Sequence, residues 1–208
     1  MTQSEIDHLV LAAASLKDGQ DYVEGLLGVR PVFSGQHPQF GTENALLALG
    51  PGLYFEVIAL QEGVEPEGPA PFGVSRVMSP TLTTWCARPF DMDVACAAAS
   101  AEGVDMGKVV PAYRDRPDGV RLNWRFTDVS KDRMNGLVPF LITWDGPHPS
   151  DDLPDAGRLQ SLTLIHPEAE RLSRIMTGQK LPVTVQPGGR PSLQVSIRRN
   201  DGQIVTIG

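Results

Sequence analysis

Two polar side chains stand inside apolar strand segments of this chain and could do chemistry together. His8 lies between Ile6 and Val10 on one face of Ile6–Leu11, since side chains alternate with period two in an extended strand. Glu56 lies between Phe55 and Val57 in Leu53–Ile58, where an ionised carboxylate is costly without a compensating partner. An imidazole and a carboxylate brought together suit a divalent metal such as Zn, Fe, Mn, Ni or Co. They equally suit a hydrogen-bonded pair that grips a ligand or moves a proton. A tight catalytic metal usually takes three protein ligands, and His37 is the candidate for the third, because the proline after it favours an extended backbone that can project the ring. His148 sits in a Pro- and Asp-rich loop and reads as exposed, and His166, ahead of Pro167, reads as a cap at a helix start or a surface residue.

The elements that must position these residues recur along the chain. Ile6–Leu11 is followed by a helix over 16–27, which Ser15 can cap and Gly28 can stop. Its apolar positions Leu16, Tyr22, Val23, Leu26 and Leu27 fit a 3.6-residue period. Extended segments then lead through Asn44–Leu49 and a Gly50-Pro51-Gly52 turn to the strand carrying Glu56, giving β-α-β-β-β. The same order returns with strand 82–87, helix 90–101, an extended 104–113, a turn at Pro117-Asp118-Gly119, and strands 120–126 and 137–144. It begins a third time with strand 159–165, helix 168–176 and strands around 181–186 and 192–207, the last a hairpin at Asn200-Asp201-Gly202. The expected organisation is a first module over 1–61, a linker over 62–80, a second module over 81–146, a loop over 147–158 and a partial third module over 159–208, all in one compact unit. The fold class is α+β: paired βαβββ modules forming a curved mixed sheet around a central cavity.

The bulk properties narrow the function. A chain of 208 residues buries roughly 70% of its unfolded surface and needs no disulfide or metal to hold a core. Cys86 and Cys96 therefore read as free thiols. Net charge is −7, and the densest basic group, Arg114 to Arg125, is interrupted by acids, which argues against nucleic acid as a partner. No apolar run approaches membrane-spanning length and the N-terminus is polar, so a cytoplasmic protein without membrane contact is expected. Trp85, Trp124 and Trp144 are candidates to line a cavity, Arg121 to neutralise an anionic substrate, and Asn44 to position one.

Ile6-Asp7-His8-Leu9-Val10, Leu27-Gly28-Val29 and Tyr54-Phe55-Glu56-Val57-Ile58 resemble the first module of the vicinal oxygen chelate superfamily. Gly35–Leu46, Pro117–Trp124, Val138–Trp144 and Pro147-His148-Pro149-Ser150 are similar to its glyoxalase-like domain branch. The resemblance covers roughly residues 5–178 and implies a small-molecule site between paired modules. It places His8 and Glu56 on metal-ligand positions, with Glu56 also the candidate catalytic group. It implies further ligands near Thr84 or Trp85 and near Ile142 or Thr143, where the sequence offers no histidine or carboxylate. Two functions follow from it: a divalent-metal-dependent lyase, isomerase or dioxygenase, or a metal-free small-molecule-binding module. Pairing into a homodimer is a further implication.

Overall fold

A computed structural model of the chain describes residues 3–64, 70–115 and 119–208, apart from the side chains of Gln39, Arg114 and Asp115. The turn expected at Pro117-Asp118-Gly119 and the middle of the 62–80 linker thus fall largely outside the described residues. The first unit comprises β1 (Glu5–Ala12), α1 (Leu16–Leu27), β2 (Val32–His37), β3 (Thr42–Ala48) and β4 (Tyr54–Leu60). The second comprises β5 (Thr81–Arg88), α2 (Met92–Ala101), β6 (Val109–Asp115), β7 (Arg121–Thr127) and β8 (Phe140–Asp145). These eight strands form one mixed sheet in the order β2-β3-β4-β1-β5-β8-β7-β6. In each half the first strand pairs in parallel with the last, and β1 and β5 join the halves antiparallel.

Local chemistry sets the helix ends as the sequence predicts. Ser15 accepts the Asp18 amide proton at 3.1 Å, and Gly28, at φ 75°, closes α1 by donating to the Glu24 carbonyl. The buried stripe is Leu16, Gly19, Val23 and Leu27, whereas Tyr22 turns outward. A Cβ at Gly19 would meet Val57 Cγ1 at 2.4 Å, so the glycine is what lets α1 lie directly on β4. Asp91 caps α2 by accepting the Val94 amide proton.

The C-terminal unit follows the expected strand, helix, strand and hairpin. It has the complete order β9 (Gly157–His166), α3 (Ala169–Gly178), β10 (Thr184–Pro187), β11 (Ser192–Arg199) and β12 (Ile204–Ile207). Its strands form a separate sheet ordered β10-β9-β11-β12, in which β9 pairs in parallel with the strand that directly follows its helix. The expected hairpin joins β11 to β12. This sheet and the helices cover the outer face of the large sheet, where Leu9, Leu11, Phe55, Val57, Trp85 and Leu141 join Leu162, Leu164, Val195 and Ile197 in one core. The inner face carries a second apolar cluster of Val10, Ala12, Ile58, Cys86, Phe126, Phe140 and Ile142. That inner face positions the site.

Candidate active site

A concave pocket of about 80 Å³ opens on the inner face of the large sheet. His8, Asn44, Tyr54 and Glu56 line it from the first half, and Trp124, Phe126, Phe140, Ile142 and Trp144 from the second. Its volume falls below the 300–1,000 Å³ or so of common ligand pockets, so it suits a small molecule or one end of a larger one.

At its polar end His8 Nε2 stands 3.7 Å from Glu56 Oε2, both side chains more than nine-tenths buried. Asn44 Nδ2 donates to Glu56 Oε1 at 2.7 Å, which holds the carboxylate and leaves Oε2 turned toward the imidazole. Tyr54, the rung partner of His8, stacks on its ring at 4.4 Å, and Phe140 packs edge-on at 5.2 Å. Thus β1, β3 and β4 present the polar groups, and neighbouring aromatics fix the ring plane.

Behind His8 lies a residue that sequence alternation places on the opposite face. The β1–β5 register shifts between Ile6 and His8, so Asp7 has no partner across the ladder. This bulge turns the Asp7 carboxylate to the side of the His8 ring, 2.6 Å from Nδ1. Its other oxygen accepts from Trp144 Nε1 at 3.0 Å and His148 Nε2 at 3.1 Å, and Arg88 Nη1 stands 3.4 Å away. Burial would push this carboxyl up, but hydrogen bonds from His148 and His8, with their charge, hold it well below the usual carboxylate range. His148, expected in solvent, is packed against Asp7, with its Nδ1 accepting the Ser150 amide proton at 3.2 Å. His148 thus donates to Asp7 from Nε2, while His8 donates to Asp7 from Nδ1 and turns Nε2 to the pocket and the Glu56 carboxylate.

The remaining sequence candidates divide. His37 lines the pocket, 3.2 Å from Thr42 Oγ1 through Nδ1. Trp124 and Trp144 form one wall, 5.4 Å apart. Trp85 is a correction: it points into the outer core, fully buried, and its indole donates to the Leu137 carbonyl. Arg121 is another, because its guanidinium lies over the exposed Tyr113 ring on the outside of β7, away from the pocket. His166 accepts the Glu168 amide proton through Nδ1, a capping contact ahead of α3.

The antiparallel join of the halves pairs His8 with Cys86 and Val10 with Thr84, so the symmetry of the sheet puts Thr84 in the place of His8, and the pair Cys86–Phe140 in that of Val10–Glu56. Burial keeps the Cys86 thiol protonated. Among the described residues, Asp7, His8 and Cys86 bring one donor atom each within 4.8 Å of one another and could hold an ion; Glu56 and His37 do not join that group. An ion there would have to displace the protons that already occupy both Asp7 oxygens. The His8–Glu56 gap fits better: two donors of one tetrahedral zinc stand roughly 3.3 Å apart. That pair fills two positions of a shell, and the second half of the sheet offers Thr84 and Phe140 at the corresponding rungs. The donor set is half of a tight divalent-metal site.

Residues 6–181 match the glyoxalase-like domain family. The chain belongs to that family. Its fold is that of the vicinal oxygen chelate superfamily, and three solved structures show the range of likeness. A hypothetical protein from Staphylococcus aureus aligns over 99% of both chains at 13% identity and TM-score 0.68. A mutant of 4-hydroxymandelate synthase from Streptomyces coelicolor aligns over all of this chain and 63% of its own, at 14% identity and TM-score 0.54. Methylmalonyl-CoA epimerase from Mycobacterium tuberculosis aligns over 68% of this chain and 88% of its own, at 18% identity and TM-score 0.40. No curated protein sequence matches. Family membership fits the paired modules; no described helix is long and apolar enough to cross a membrane.

Proposed function

We propose that this family member binds a small, largely apolar carbonyl compound in the concave pocket and moves a proton at the carbon beside the carbonyl. The observation that carries this reading is the Asp7–His8–Glu56 arrangement. A buried carboxylate holds the imidazole from behind, and Nε2 faces the pocket 3.7 Å from a second carboxylate oxygen. His8 Nε2 acts as the base, Glu56 carries or returns the proton on the same side, and the aromatic walls exclude water. Tyr54 and Phe140 keep the ring from swinging, which preserves the near-attack geometry.

A metal-assisted version of the same chemistry is the second reading, favoured by the His8–Glu56 spacing. His8 and Glu56 would hold the ion, which would polarise the carbonyl when bound. The contribution of the protein is then the orientation of His8 by Asp7, a common support for a ligating histidine.

Deuterium exchange at carbon, followed by NMR with small hydroxyketones and 2-oxo esters in deuterated buffer, tests both. The wild-type protein accelerates exchange, and His8→Ala lowers the rate by about 10²–10⁴. Exchange that survives a chelator supports the metal-free version, whereas exchange restored only by Zn, Mn, Fe, Ni or Co supports the second. No exchange above buffer with any probe or ion sinks the proposal. Size-exclusion chromatography with light scattering tests the homodimer that superfamily membership suggests.

A further inference from the structure

A second cleft, of about 610 Å³, lies on the other side of the Pro71–Arg76 segment from the pocket. One wall is that segment and the other is the loop after β7, which contributes Lys131 and Arg133; Thr83 and Thr84 of β5 form the floor. Arg133 is only 3% exposed, and no described carboxylate lies within ion-pair distance of it. Its Nη1 donates to the backbone carbonyls of Asp128 and Lys131, while its Nε is buried without a partner. Thr83 Oγ1, on the same cleft, is also buried and unpartnered. Burial pulls the guanidinium down to about 10, which still leaves it charged at neutral pH.

Asp128 and Asp132 attract the guanidinium only from beyond ion-pair distance, and it lies 5.8 Å over the Phe140 ring. A buried cation without a directly bonded anion is costly, and folds that retain one normally supply an anion. Cations outnumber acids on the cleft lining itself. Arg76 is exposed at the cleft edge, Lys131 is paired with Asp105, and Asp132 is the acidic residue on the lining. The loop also holds Arg133 in place at a conformational cost, with Met134 at φ 52° and Asn135 at φ 58° next to it. The planar fork of an arginine matches an oxyanion better than a point charge does.

We propose that the cleft is an oxyanion site, in which Arg133 and Thr83 bind a carboxylate or phosphate group. Pro71, Phe72 and Val129 line both this cleft and the apolar pocket. The oxyanion is therefore either a free ion or the charged end of a molecule whose apolar end enters the pocket. The site itself stands on Arg133 and Thr83 and does not depend on the chemistry assigned to His8.

Isothermal titration of the whole chain with inorganic phosphate, acetate and octanoate at fixed ionic strength tests this. Saturable binding of phosphate or acetate in roughly the millimolar range is expected. Arg133→Lys keeps the charge but loses the fork, and should weaken binding at least tenfold; Thr83→Val, nearly isosteric, should weaken it several-fold. Octanoate binding at least tenfold tighter than acetate assigns the site to the charged end of a pocket ligand, and equal affinities assign it to a free oxyanion. If Arg133→Lys fails to fold, Thr83→Val carries the test. Absence of saturable binding by all three probes overturns the site, as does unchanged affinity in both variants. His8→Ala should bind phosphate like the wild type, which separates this result from the fate of the proton-transfer reading.

Discussion

At corresponding rungs of one sheet, β1 and β4 turn His8 and Glu56 to the cavity, whereas β5 and β8 carry Thr84 and Phe140. The two halves share strand order and parallel closure, yet one carries almost all the polar groups of the pocket and the other supplies Phe126, Phe140, Ile142 and a tryptophan pair. Burying ionisable groups is expensive, and the cost is contained when one network satisfies all of them. Here Asp7 is that network's centre, and it ties the halves together: its donors come from β1, from Trp144 of β8 and from His148 beyond it. The apolar half thus supports the polar half through a single carboxylate.

Removing that carboxylate should produce the largest effect. Asp7→Ala leaves the His8, His148 and Trp144 donors unmatched in a buried space, and urea unfolding should show a loss of about 3–5 kcal/mol. The pH dependence has a definite sign. The folded-state value of Asp7 lies below its unfolded value of about 3.9, so its contribution is present above that pH and is lost as pH falls below it. Asp7→Asn should flatten the decline in stability below about pH 4 and lower stability at pH 7. An unchanged acid profile would mean that other carboxylates govern acid unfolding.

The apolar half should respond next, and through a different mechanism. Ile142 is almost fully buried, so Ile142→Ala enlarges the cavity and should cost about 2–4 kcal/mol in the same unfolding measurement. The geometry of His8 and Glu56 should survive, visible as unchanged imidazole resonances by NMR. A cost under about 1 kcal/mol would show that the wall is loosely packed and that the halves differ less than the structure implies.

The contrast between halves was only partly legible in the sequence. Alternation in Ile6–Leu11 and Leu53–Ile58 marked His8 and Glu56 as polar groups in apolar strands, and the family resemblance paired them; the unshifted parallel ladder from His8 to Ala12 is what puts them side by side. Asp7 escaped the same rule, since a bulge returns it to the face that period two denies it. The one available signal was a carboxylate in an otherwise apolar strand. His148 is separated from Asp7 by 141 positions, and a loop histidine with prolines on both sides carries no local mark of burial. The three tryptophans were indistinguishable by type: Trp124 and Trp144 face the cavity and Trp85 the outer core, according to which side of its strand each occupies. Element order left the strand pairing at the C-terminus open. The order β-α-β-β-β is the same in all three units, but β9 takes β10 as its parallel neighbour where β1 takes β4, and order alone does not encode pairing.

The smallest stability effect should come from the change that matters most for chemistry. Glu56→Gln keeps the shape of the side chain, and its amide oxygen can still accept from Asn44 Nδ2, so the hydrogen bond that holds it survives. Unfolding should shift by less than about 1 kcal/mol. The variant nevertheless removes the negative charge facing His8 Nε2, and with it both the proton carrier and one of two metal donors. Deuterium exchange at carbon should therefore fall by about 10²-fold or more while the fold stays intact. Ile142→Ala is its mirror image, a large stability loss with the polar pair left standing. If Glu56→Gln instead unfolds the protein and leaves exchange per folded molecule unchanged, the carboxylate belongs to the scaffold and the division of labour between the halves fails.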